Sequence, residues 1–173
     1  MCVFDYDQPV SILTGDEFKP KEGTTFARQV LDCFISIGRI AHSAFGDIIL
    51  DMKGIQSDKS HGVGRTKASS FAAVKAVLEH GSIILPLDYY GTGGKKQKTG
   101  MIAAPIKIGE NTYICVVVVI DNLKNKRLYL HEAFDIKEIP EIAASSSVHD
   151  SITASPQSRG VVAKVLQNYL KNK

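Results

Sequence analysis

A chain of 173 residues with 44% apolar residues has the size and composition to fold around one core, so a single domain over 1–173 is expected. There is no run of about 18 apolar residues and no basic leader followed by an apolar stretch, which leaves a soluble protein rather than a membrane-spanning or signal-directed one. A formal charge of +3 is too small to demand a polyanionic partner, and the widely spaced Cys2, Cys33 and Cys115, with no C-x-x-C pair, read as free thiols in a reducing compartment.

The first stretch, PVSILTGDEF, holds a short apolar run broken by Gly-Asp. Beyond the loop KPKEGT, the segment FARQVLDCFISIG puts Phe26, Val30, Leu31, Phe34 and Ile35 at helical spacing, with Gly38 as terminator, and predicts a helix over 25–37. AFGDIILDMKGI carries Ile48, Ile49 and Leu50 between Gly46 and Gly54, the pattern of a short strand. In SDKSHGVGRTKASSFAAVKAVLEHG a loop gives way to a helix: Thr66 is a fit N-cap, Phe71, Val74, Val77 and Leu78 form one stripe, and Gly81 follows the last turn. His80 falls in that last turn, where a cation suits the helix dipole.

A Gly-rich basic loop, YYGTGGKKQKTG, follows with Lys95, Lys96 and Lys98, a plausible phosphate contact and an equally plausible solvated tip. Three segments of strand character come next, MIAAPIKIG, NTYICVVVVID and KRLYLHEAFDI, joined by short turns as an antiparallel meander. Pro105 has no N–H for a ladder, so its strand is expected to lie at an edge or carry a bulge there, while Val116 to Ile120 should be the buried centre. In RLYLHEAF a period of two puts Leu128, Leu130 and Glu132 on one face and Arg127, Tyr129 and His131 on the other. A polar arm over 143–157 then leads to a C-terminal helix over 158–171, with Ser158 as candidate cap and an apolar stripe to dock on the domain.

No metal site or cofactor is expected. The five histidines never stand at i, i+4, the glycines of HGVGR and GTGG lack the strand, turn and helix context of a nucleotide fingerprint, and no P-loop is present. His61 stands before a helix N-terminus, where unpaired amides favour an anion, and Lys67 in the first turn opposes the dipole by about a few tenths of a kcal/mol unless an anion is near. A solvated lysine explains Lys67 about as well, and a lone strand histidine such as His131 is more often structural. Two imidazoles, a lysine and a phenol on one concave surface would nonetheless suit RNA transesterification, in which one imidazole takes the 2'-hydroxyl proton and the other protonates the departing 5'-oxygen.

The series TGDEF, SHGVGRTKASSFAAVKAVLEHGSII, MIAAPIKIGENTYICVVVVI, RLYLHEAF and a serine-rich arm ending in VLQNYL resembles the phage-associated nuclease-like domains of the barnase, EndoU, colicin and RelE group. Such domains occur in phage polyvalent proteins and at the C-termini of MuF-type phage proteins, and the likeness runs in order from Ile12 to Leu170. It implies an α+β fold in which N-terminal helices pack on a small antiparallel sheet, with a C-terminal helix. It also implies a metal-independent, cofactor-free endoribonuclease, toxin-like and derived from a phage or mobile element. Such an enzyme would act on RNA, tRNA among the candidates, in the cytoplasm of a bacterial host, with an immunity or inhibitor protein as partner and no membrane.

Carried over by motif, the helix-entrance pair falls on His61 and Lys67, the YLHE pair on His131 and Glu132, and the aromatic and basic loop on Tyr89, Tyr90, Lys95, Lys96 and Lys98. The expected roles are His61 and His131 as acid and base, Lys67 stabilising the transition state and Tyr129 positioning the substrate, with Ser60, Arg65, Tyr90, Lys95, Lys96, Lys98 and Glu132 as substrate contacts. The chain departs from the group in having no tryptophan, and its loop uses tyrosines and lysines where relatives often carry tryptophan and arginine; lysine lacks the bidentate fork of arginine. The alternative is a non-catalytic module whose same face binds RNA or a protein partner. A transferase acting on a nucleotide cofactor has only the Gly-rich loops in its favour.

Overall fold

The computed structural model describes residues 4–90, 97–145 and 159–173, and over these the chain is a mixed α+β protein with one seven-stranded sheet. After the two-residue β1 (Ile12–Leu13) comes α1 (Phe26–Ile37), which begins where Thr25 Oγ1 accepts the Arg28 N–H at 3.2 Å and ends at Gly38, as the spacing predicts. β2 (Ile40–Ser43) and β3 (Gly46–Ile49) form a hairpin, and α2 (Met52–Lys59) follows, capped by Asp51.

The single helix expected from Thr66 is instead three pieces: α3 (Arg65–Ser70), a 3-10 turn over Phe71–Ala73 and α4 (Val74–His80). The start is Gly64, not Thr66, and the break has a local cause. The Lys67 carbonyl accepts from the Ser70 hydroxyl at 2.9 Å and faces His131 Nε2 at 3.1 Å, so it is drawn away from the next turn. The chain tightens there, and the apolar stripe resumes in α4. The remaining elements are β4 (Ser82–Asp88), β5 (Lys98–Ile108), β6 (Asn111–Asp121), β7 (Lys126–Asp135), α5 (Ile139–Ser145) and α6 (Arg159–Lys171).

The meander of β5, β6 and β7 is antiparallel, as expected. The sheet around it is larger than the small antiparallel one anticipated and is mixed, in the order β1-β5-β6-β7-β3-β2, with β1 parallel to β5, β3 parallel to β7, and β4 also on β5. β4 pairs with β5 from Thr99 to Ala103 and β1 at Lys107 and Ile108, so the two share one edge of β5 and part around Pro105. The Pro105 carbonyl accepts from Val10 N at 2.9 Å on that edge. A strand residue turns its N and O to the same side, so the proline nitrogen faces this gap and the ladder to β6 loses nothing.

The two faces of the sheet bury separate cores. Val117 and Val119 lie with Val30, Phe34, Phe71 and Val74, while Val116 and Val118 lie with Phe134, Val162 and Leu166. Each fully buried side chain of this kind contributes roughly 1.5–3 kcal/mol, which is why the run from Val116 to Val119 is apolar without alternation. The expected centre stops one residue early, at Val119, since Ile120 is half-buried. α6 docks by its predicted stripe, burying Val161, Val162, Val165 and Leu166.

The face assignment expected for RLYLHEAF is corrected by a bulge. Val118 pairs with Leu130 and Val119 with Leu128, which leaves Tyr129 as the extra residue. Leu128 therefore shares the α1 side with His131, whose ring meets Phe71, and Leu130 shares the α6 side with Phe134. Of the polar arm, residues 143–145 close α5 and 146–158, with the candidate cap Ser158, lie outside the described residues; so do Lys95 and Lys96. Among the described residues no helix is long and apolar enough to cross a membrane.

Candidate functional site

The site is built on the edge of β7. β3 pairs with β7 only at Lys126 and Arg127, and beyond that point α2 runs along the strand. The close approach needs Gly54, where a Cβ would meet the Leu128 carbonyl oxygen at 2.9 Å. Asp51 fixes the start of α2 by accepting the Gly54 N–H at 3.0 Å, and its other oxygen holds Arg127 Nε at 2.9 Å. So anchored, α2 delivers the fully buried Asp58 to the open strand edge, where Oδ2 accepts the His131 backbone N–H at 3.0 Å.

Asp58 Oδ2 also takes Nδ1 of the His131 ring, and Nε2 of that ring faces Ser70 Oγ at 2.9 Å and the Lys67 carbonyl at 3.1 Å. Both ring nitrogens are thus engaged, Nδ1 by the Asp58 carboxylate and Nε2 by the Ser70 hydroxyl and the Lys67 carbonyl. His131 is 0% exposed and has no ring nitrogen left for a ligand. Asp58, His131 and Ser70 thus form a serine-histidine-aspartate chain with no exposed member. Phe71 packs on the imidazole with ring centroids 4.3 Å apart.

Lys67 links this sealed chain to the surface. Its Nζ lies 2.9 Å from Asp58 Oδ1, an ion pair out of line for a hydrogen bond, and donates to Glu132 Oε1 at 3.1 Å. The dipole cost of a lysine in the first turn of α3 is therefore offset by two of the protein's own carboxylates. Glu132 is held from the other side by α6, where Arg159 donates to Oε2 at 2.6 Å and to the Ala133 carbonyl at 3.1 Å. Burial pushes the thiol of Cys115, opposite Ala133 in the ladder, far above its usual range; the Asp58 and Glu132 charges reinforce that shift and Lys67 opposes it. Cys115 is core, as its apolar surroundings suggest.

A cleft of about 510 Å³ opens over Glu132, lined by His61, Arg65, Lys67, Tyr113, Glu132 and Arg159 among others. Two of the residues expected to do chemistry, His61 and Lys67, meet here together with the expected contacts Arg65 and Glu132. Tyr129 touches the His61 ring edge-on at 5.2 Å between centroids. His131 does not join them, so the two imidazoles do not share one surface.

Of the remaining expected contacts, Ser60 ends α2 and donates to the Ser57 carbonyl at 2.6 Å. Arg65 reaches the Glu17 carbonyl and Ser69 Oγ, tying the TGDEF loop to α3. Tyr90 donates to the Pro86 carbonyl at 2.9 Å, and Lys98 stands 5.3 Å over the Tyr89 ring, away from the cleft lining. Sequence reasoning missed Asp58, Ser70 and Arg159. Asp58 stands three residues before His61 in a stretch read as loop, and Arg159 opens a tail read only for its apolar stripe.

Among the described residues no group of three or more His, Cys, Asp or Glu side chains is arranged to hold a metal ion. Compared with protein-family models, with curated proteins and with solved structures, the chain matches none.

Proposed function

We propose that the protein is an endoribonuclease, toxin-like and of phage or mobile-element origin, working in the cytoplasm of a bacterial host through the cleft over β7. The observation that carries this reading is the meeting of an imidazole, a carboxylate and two cations, His61, Glu132, Lys67 and Arg159, in one cleft. The order and spacing of the motifs that resemble the barnase, EndoU, colicin and RelE group supply the rest, including the arrangement of helices on sheet.

In this reading Glu132 takes the role first expected of His131. Its carboxylate removes the proton of a 2'-hydroxyl, the freed oxygen attacks the adjacent phosphorus, and His61 protonates the 5'-oxygen as that bond breaks, leaving a 2',3'-cyclic phosphate. Lys67 and Arg159 hold Glu132 while the cleft is empty; a bound phosphate competes for both cations, stabilises the transition state through them and leaves the carboxylate freer to accept a proton. Tyr129 backs the His61 ring.

Incubating the purified protein with total RNA in EDTA should give fragments with cyclic phosphate ends, and Glu132→Gln and His61→Ala should each abolish them. Intact RNA after exposure to correctly folded protein would overturn the assignment. One observation favours the rival reading, a module that binds RNA or a protein without cleaving: the two cations beside Glu132, Lys67 and Arg159, already have that carboxylate as partner. That reading gains if RNA binds and stays whole.

A further inference from the structure

A second groove, of about 550 Å³, lies on the other side of the same loop and shares Val63, Gly64 and Arg65 with the cleft. Its walls are Phe18, Pro20, Phe26 and Val63, and its cationic residues are Lys21, Lys59 and Arg65. No carboxylate lines it, and among the described residues neither Lys21 nor Lys59 has an ion-pair partner. Phe18 and Phe26 are half-buried and meet edge to face at 6.1 Å between centroids, so part of each ring stays open.

The groove is built, not incidental. Phe18 has φ +56°, a conformation that a bulky side chain enters only when its surroundings hold it there. They do: the Glu17 carboxylate accepts the Thr14 and Gly15 N–H groups at 2.7 and 2.9 Å, Ser69 Oγ donates to the Gly15 carbonyl at 3.0 Å, and Arg65 donates to the Glu17 carbonyl. The TGDEF loop, unexplained by the chemistry of the cleft, is thereby docked on α3 with its aromatic ring presented at the groove.

We propose that this groove is a nucleotide subsite, in which an unpaired base of the RNA stacks on the Phe18 ring with Phe26 against its edge, while Lys21, Lys59 and Arg65 take the phosphates that lead to the cleft. Aromatic faces beside cations that no carboxylate neutralises are what a single strand needs: stacking tolerates any base, and the cations track the backbone. The inference rests on the ribonuclease reading for the identity of the strand and adds where the strand runs, past Gly62 to Arg65 and away from the scissile bond.

The test uses the full chain with Lys21→Ala and Lys59→Ala together, both exposed, and separately Phe18→Leu, which removes the aromatic face and keeps the apolar bulk. The probe is a fluorescent, non-cleavable 2'-deoxy oligonucleotide of about ten nucleotides, followed by anisotropy across a salt series. The double lysine variant should lower the dependence of log K on log salt by about 1.4, two contacts at about 0.7 each, and Phe18→Leu should weaken binding about tenfold at unchanged salt slope. Binding unaltered in both variants, or association of the protein with itself through this groove in place of oligonucleotide binding, overturns the subsite. Because the probe cannot be cut, wild-type protein that binds it through these residues yet leaves RNA intact would sink the nuclease reading and keep the subsite, and the reverse pattern would do the opposite.

Discussion

His131 and Glu132 are neighbours in one strand and stand in opposite circumstances. The imidazole points to the α1 side, sealed under Phe71 with every polar atom committed; the carboxylate points to the α6 side and reaches the cleft wall. Both are nearly inaccessible, at 0% and 4% exposure, yet only Glu132 has its polar end among residues that a ligand could touch. Burial by itself does not separate structural from chemical groups. What separates them is whether the partners of a group are themselves sealed, as Asp58 and Ser70 are, or are side chains at a cleft where a ligand can compete for them.

That contrast can be broken by mutation. The largest effect should come from the sealed side: Asp58→Ala strands Lys67 and His131 without their shared anion, and removing one member of a buried charged network costs about 3–5 kcal/mol, read as a lower midpoint in urea unfolding. A near-neutral Asp58→Ala would mean the network is not what holds α2 on β7. On the open side the loss should be kinetic. Glu132→Gln and His61→Ala should each cut RNA cleavage by about 10²–10⁴ with the fold retained, and loss of folding in place of activity would erase the distinction between the two neighbours.

Smaller effects should follow the supports. Gly54→Ala pushes a methyl toward the Leu128 carbonyl oxygen and should cost about 1–3 kcal/mol in the same unfolding measurement, by prising α2 from the strand it serves. The Cys115 thiol gives the mildest signal. Its pKa is raised in the fold, so above about pH 9 the unfolded chain releases a proton that the folded chain keeps, and stability should fall there by about 1.4 kcal/mol per pH unit. Cys115→Ala should flatten that part of the profile; an unchanged slope would place the thiol in contact with water.

Much of the framework was legible where periodicity and capping agree. Thr25, the stripe from Phe26 and Gly38 define α1, the connectors GEN and DNLKNK define the meander, and Val161 to Leu166 mark the docking face of α6. What was hidden depends on tertiary contact. α2 is polar and contains Gly54, so nothing periodic marks it, and its helix is held by Asp51 and by the strand it covers. β1 has two residues and β3 four, and each is held in the sheet by a strand distant in sequence, β5 and β7. Within the site, His61 and Lys67 stood out by clashing with local preference, whereas Asp58 and Arg159 looked like ordinary surface charges and became site residues only through β7.

The bulge at Tyr129 has a consequence for how such chains are compared. Deleting the inserted Tyr129 would restore an unbroken period of two with Leu128, Leu130, His131 and Glu132 each on its present side, whereas keeping it in a regular strand would exchange the contents of the two faces from Leu130 onward. A homologue with the same four letters, YLHE, but a regular strand would carry its imidazole where this protein carries its carboxylate. Column-by-column alignment would equate the two, and only the ladder register would reveal that the letters had changed places.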